Sequence, residues 1–134
     1  MLRLMLNSHP KLAVPFESGF IPQFYLKHVE YGDLKIKENA EKLLEAISEN
    51  SFVKRGKLIQ NPHAILSNPI ASYRDLVNAI FLEYAKRNGK ERWGDKTPSY
   101  VTELDILWHV FPGCRIVHLI RDGRDVAVSL GRLE

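Results

Sequence analysis

One cysteine, Cys114, stands among 134 residues, so no disulfide framework exists within the chain, and cysteine usage gives weak support for a reducing compartment. Long apolar runs are also missing. The apolar start at Met1, Leu2, Leu4, Met5 and Leu6 is broken by Asn7, His9 and Pro10 too soon for a signal-peptide core, and nothing reaches membrane-spanning length. There is no Lys/Arg block: 19 basic and 16 acidic residues leave a formal charge of +3 dispersed along the chain. With no interleaving of aromatic and basic residues and no zinc-finger or RNP pattern, nucleic acid is not an expected partner. His9, His28, His63, His109 and His118 show no ligand spacing, so no metal is expected. Internal repeats and low-complexity tracts are absent as well. What remains is the composition of one globular domain, with 45% hydrophobic residues to build its core and the cytoplasm as its default location.

The apolar residues that are present fall into helical stripes. Leu2, Met5 and Leu6 have helical spacing up to Pro10, which excludes its predecessor from helical geometry. Leu12 to Phe16 reads as a short strand or extended loop, and the class of Ser18 to His28 stays open. Ala40, Leu43, Leu44 and Ile47 share one face of a helix near Lys37 to Glu49. Tyr73, Leu76, Val77, Ile80, Phe81 and Tyr84 line a second helix, with Ser72 as N-cap and Gly89 as its stop. Asn61-Pro62 and Asn68-Pro69 punctuate the stretch between them, so the middle of the chain reads as a helical insertion. After Trp93-Gly94-Asp95-Lys96-Thr97-Pro98, a further amphipathic run carries Val101, Leu104, Ile106, Leu107, Trp108 and Val110, with Thr97 expected to cap it.

Ile116 to Ile120 is short and apolar, as expected of a parallel strand covered on both faces, and Asp122-Gly123-Arg124-Asp125 then opens a helical pattern. Cys114, beside this strand, is expected to be buried. Asp122 and Asp125 suit capping of the helix start. Arg121 leaves the strand at its carboxyl end and Ser129 lies about two turns into the helix, so a guanidinium and a hydroxyl can converge on one phosphate. A phosphorylated small ligand is the expectation. Strand and helix in this order, with the helices before them, indicate an α/β layer fold.

Three segments together resemble the sulfotransferases that use 3′-phosphoadenosine 5′-phosphosulfate (PAPS): Leu2-Arg3-Leu4-Met5-Leu6-Asn7-Ser8-His9-Pro10, Trp93-Gly94-Asp95-Lys96-Thr97-Pro98, and Phe111-Pro112 through Ser129. The likeness is to the branch that holds tyrosylprotein sulfotransferases and many bacterial relatives. It implies a P-loop NTPase-like parallel sheet flanked by helices, and sulfuryl transfer from PAPS to an acceptor hydroxyl or amine without a metal. By the same resemblance Arg121 and Ser129 hold the donor's 3′-phosphate, Lys96 contacts the transferring group, and Glu17 is the general base. The acceptor is left open among tyrosine, sugar, lipid and small alcohol. The family's glycine-threonine phosphosulfate loop would stand before Leu2, so the chain reads as a single partial domain over 1–134. A non-catalytic remnant that binds adenosine 3′,5′-bisphosphate weakly or pairs with another chain is the alternative reading. A P-loop kinase relative is disfavoured by the lack of a GK[ST] loop, since Glu91 follows Gly89-Lys90.

Overall fold

The computed structural model describes residues 1–120 and 122–130, with the side chains of Ser129 and Leu130 outside that description. The chain begins with α1 (Leu2–Asn7) and β1 (Leu12–Ala13), passes through α2 (Ile21–Tyr25) and a 3-10 turn (His28–Tyr31), and enters α3 (Lys37–Ser48). Short α4 (Ser51–Arg55) and α5 (Pro62–Leu66) lead to the long α6 (Tyr73–Arg87). Then come β2 (Arg92–Trp93), a second 3-10 turn (Pro98–Thr102), α7 (Leu104–Val110) and α8 (Gly123–Leu130). It is a mixed α/β architecture in which helices dominate and β1 pairs with β2 in parallel, Leu12 opposite Arg92 and Ala13 opposite Trp93.

The expected stripes form the core. Leu43, Ile47, Leu76, Val77, Ile80 and Phe81 are fully buried, with Ala40, Leu44 and Tyr73 close behind. Phe81 has two aromatic neighbours, its ring 6.0 Å from Phe20 and 4.4 Å from Trp93, stacked on both. Trp93 also donates its indole N–H to Asn78 Oδ1 at 2.9 Å, so α6 grips β2 through apolar area and a directed bond at once.

Local chemistry explains where the helices begin and stop. Ser72 caps α6 by accepting the Asp75 amide, and Asn61 accepts from Ala64 ahead of Pro62 in α5. Asn50 caps α4, a five-residue helix that no apolar periodicity announces. Gly89, at φ +68°, ends α6 in left-handed geometry, and the Lys90 amide returns to the Ala85 carbonyl at 2.8 Å. The Lys90 ammonium then reaches the carbonyls of Asn7 and His9 at 3.3 and 2.6 Å, where the carboxyl end of α1 favours a cation.

Four expectations are corrected. Residues 116–120 form no strand: Val117, Leu119 and Ile120 are exposed, because nothing among the described residues pairs with them and an apolar run without a ladder partner gains no strand geometry. Cys114 is half-buried rather than enclosed, following the same unpaired segment. Val101 and Trp108 face outward, since the chain from Pro98 to Thr102 turns as a 3-10 helix and shifts the helical register. Thr97 occupies the N-cap position there but makes no cap bond; its hydroxyl is engaged elsewhere.

Replacing Phe81 by Ala removes the ring that joins the helical core to β2. The Phe81→Ala chain should lose about 3–5 kcal/mol of unfolding free energy, read from the shift of its urea midpoint against wild type.

Candidate functional site

Parallel strands deliver their following loops to one edge, and ligands of α/β sheets bind at that carboxyl edge. β1 runs on through Val14, Pro15 and Phe16 to Glu17 and Ser18, while β2 runs on through Gly94 to Asp95, Lys96 and Thr97. α1 fixes the first of these exits: Asn7 Oδ1 accepts the Val14 amide at 3.0 Å and Arg3 reaches the Val14 carbonyl at 3.4 Å. Gly19, at φ +64°, then turns the chain away into α2 with Phe52 packed against it, 3.0 Å from where a Cβ would stand. A side chain there would meet both backbone strain and the Phe52 ring.

At this edge Lys96 Nζ donates to Glu17 Oε1, an ion pair between residues 79 positions apart. Their side chains keep 33% and 27% exposure, which leaves the pair reachable from solvent yet better shielded than the surface pair Lys37–Glu41. Phe16 holds the Arg55 guanidinium over its ring at 4.8 Å, and Phe20 turns inward to the core.

Beside the pair lies a polar cluster. Ser18, 1% exposed, donates its hydroxyl to Asp95 Oδ2 at 2.5 Å, and its amide donates to Thr97 Oγ1 at 3.1 Å. The Thr97 hydroxyl sits 3.3 and 3.4 Å from the two Asp95 oxygens and donates to that carboxylate. Because the one Ser18 hydroxyl proton is directed to Asp95, the 3.0 Å contact between Ser18 Oγ and Tyr100 Oη has Tyr100 as donor. Tyr100 Oη in turn accepts the Ile21 amide at 3.1 Å, and Tyr73 donates to the Ile21 carbonyl at 2.8 Å. Polarity thus runs one way, from Ile21 through Tyr100 and Ser18 to the Asp95 carboxylate. Burial raises both tyrosine pKa values above the ordinary phenol range, with the Asp95 charge adding to the effect at Tyr100, so both hydroxyls keep their protons. Desolvation also pushes Asp95 up to about 6, against the lowering pull of its bonds from Ser18 and Thr97.

Of the residues singled out by sequence, Glu17 and Lys96 are brought into contact, while Arg121 and the Ser129 side chain lie outside the described residues. Asp122 accepts the Arg124 amide at 2.9 Å at the start of α8 and binds the Arg124 guanidinium, a capping role. Among the described residues no group of His, Cys, Asp and Glu could hold a metal ion, and no helix is long and apolar enough to cross a membrane. Sequence reasoning missed Ser18 and Tyr100 and left Asp95 as a mere neighbour of Lys96. Only the composition of the Trp93 to Pro98 segment hinted at Asp95. Two surface concavities, of about 310 Å³ beside Glu45 and His63 and about 220 Å³ beside His28 and His109, are lined by residues other than Glu17 and Lys96.

A carboxylate and an ammonium in contact beyond the carboxyl ends of parallel strands, on a helix-rich α/β frame, suit a group-transfer enzyme. The family comparison makes this particular: the model described as sulfotransferase family matches residues 1–132, and the chain belongs to that family. No curated protein and no solved structure matches it.

The Asp95 shift has a definite sign. A carboxyl whose folded pKa lies at about 6, above the ordinary aspartate value of about 3.9, costs nothing while both states are protonated; it destabilises increasingly as pH rises between those values, because the unfolded chain loses its proton first. Above pH 6 the cost is complete and amounts to at most about 3 kcal/mol, reduced by the solvent that still reaches this half-buried residue. Asp95→Asn should therefore melt higher than wild type at pH 8, with the difference vanishing by about pH 4, in paired calorimetric scans.

Proposed function

We propose that the protein transfers a sulfuryl group from PAPS to the hydroxyl, or amine, of an acceptor, at the edge where Glu17 meets Lys96. The single observation that carries this reading is their contact across 79 positions, which sets a base and a cation side by side at a strand-end edge. Membership of the sulfotransferase family supports the reaction type. On this reading β1 and β2 belong to a P-loop-like sheet.

The chemistry asks for little covalent participation by the protein. The donor supplies an activated sulfuryl group on a phosphate leaving group. An acceptor oxygen forms the new S–O bond as the S–O bond to the donor breaks, and the leaving phosphate oxygen keeps the electron pair. Glu17 Oε1 takes the acceptor proton, and the Lys96 ammonium turns from Glu17 to the negative charge on the transferring and leaving oxygens. A fixed ammonium meets that need without a metal, as in phosphoryl transfer, where positioning and charge neutralisation dominate. The donor set fits: the cation and the carboxylate touch and are partly exposed. Arg121 and Ser129 are the residues we assign to the donor's 3′-phosphate, a guanidinium and a hydroxyl suited to bidentate and single contacts.

Two measurements test this. Titration calorimetry should show adenosine 3′,5′-bisphosphate binding in preference to ADP, with the preference lost in Arg121→Ala; equal binding of the two nucleotides would sink the assignment. With labelled PAPS and a panel of phenols, sugars and alcohols, Glu17→Gln should lower kcat by roughly 10²–10⁴ with little change in donor affinity, as expected for loss of a general base.

A further inference from the structure

Nothing in the sulfotransfer reading explains why the loops carrying Glu17 and Lys96 stay together, and their contact alone does not provide for it. Each side chain of the pair is partly exposed, and the two strands that feed it are two residues long. The residues next to the pair are built differently. Ser18 adjoins Glu17 in sequence and is sealed from solvent; Asp95 and Thr97 flank Lys96 on both sides. Both hydrogen-bond donors of Ser18 cross to those flanking residues, the hydroxyl to Asp95 and the amide to Thr97, at 2.5 and 3.1 Å. The Thr97 hydroxyl closes the ring by leaning on the Asp95 carboxylate. Tyr100 donates to Ser18 from the far side and receives the Ile21 amide, which anchors the cluster to the start of α2.

We infer that Asp95 is a positioning residue which, through Ser18 and Thr97, clamps the Glu17 loop to the Lys96 loop and so sets the contact between base and cation. The function given to that contact rests on the sulfotransfer reading; the clamp itself does not. An ionised carboxylate is the right group for it, because it accepts from two hydroxyls at once and makes each bond charge-assisted. Its raised pKa fits a carboxylate kept in a costly place, since a residue serving stability alone would be better replaced by a neutral amide of the same shape. Asp95 makes no ion pair with Lys96, whose ammonium is given to Glu17, so its effect on the pair passes through the loops.

The test reads the Lys96 amine directly. The full chain is acetylated with an N-hydroxysuccinimide ester under limiting reagent, and the rate at each lysine is followed by mass spectrometry, with exposed Lys11 as internal reference. Glu17→Gln should raise the Lys96 rate several-fold by freeing the amine. Ser18→Ala should raise it to the same level, and Asp95→Asn should raise it part of the way, with Lys11 unchanged in all three. Wild-type rates at Lys96 in Ser18→Ala and Asp95→Asn, alongside a raised rate in Glu17→Gln, would overturn the proposal. So would no response to Glu17→Gln, which would leave no pair to position, or a uniform rise at all lysines, which would make the cluster a support of the fold in general. Adenosine 3′,5′-bisphosphate binding is read separately on the same proteins. Its absence with the Lys96 pattern intact would defeat the sulfotransfer reading and leave the clamp standing.

Discussion

The stacking of Phe81 on Trp93, ring centroids 4.4 Å apart, is the contact on which the arrangement of this molecule depends. A parallel pair of two-residue strands has too few hydrogen bonds to hold its own register. Burial of large aromatic area supplies what the ladder lacks, and the indole bond to Asn78 fixes the orientation of β2 against α6. Once β2 is held, its pairing with β1 follows, and both exit loops emerge at one edge. Phe20, also stacked on Phe81, ties the segment just beyond Glu17 into the same stack. The helical core and the site are thus joined through this stack, as they are through the bonds of Tyr73 and Tyr100 to Ile21.

That edge is polar for a reason the core does not share. Apolar packing can bring two loops near each other but does not specify which atoms meet, because the hydrophobic effect has no direction. Hydrogen bonds do, and the cluster of Ser18, Asp95, Thr97 and Tyr100 aligns them in one sense from an amide donor to a carboxylate. The carboxylate is the costly member, displaced upward in pKa by its surroundings. Burying a charged group costs stability, and carboxylates perturbed in this way cluster at functional sites.

How much of this was legible in the sequence differs sharply by element. α3 and α6 were readable because each buries a full stripe, and a stripe of Leu43, Ile47, Leu76, Ile80 and Phe81 repeats at the helical period. Ser72 was readable as a cap because capping involves neighbours a few residues away, whereas Asn61 was read only as loop punctuation and turned out to cap α5. α4 was not, since five residues contain no period to detect. Residues 116–120 misled in the opposite direction: β-branched apolar residues announce a strand, but a strand exists only where a partner supplies the other half of its ladder, and nothing in the local run says whether one is there. Thr97 misled because its hydroxyl had two possible uses, the local cap and the distant Ser18 amide, and the distant one prevailed.

Sequence by itself determined the helical core, its caps and stops, the absence of a disulfide framework, and the kinship of separate motifs whose order resembles one family. Those properties are local or are sums over the chain, so they survive without coordinates. Tertiary structure alone decided that Glu17 meets Lys96 and that Ser18 bridges to Asp95, contacts that span 79 and 77 positions. No periodicity or spacing encodes such a contact. It arises because two distant strands run parallel and release their loops at the same edge, which is a fact about the folded chain and not about any segment of it.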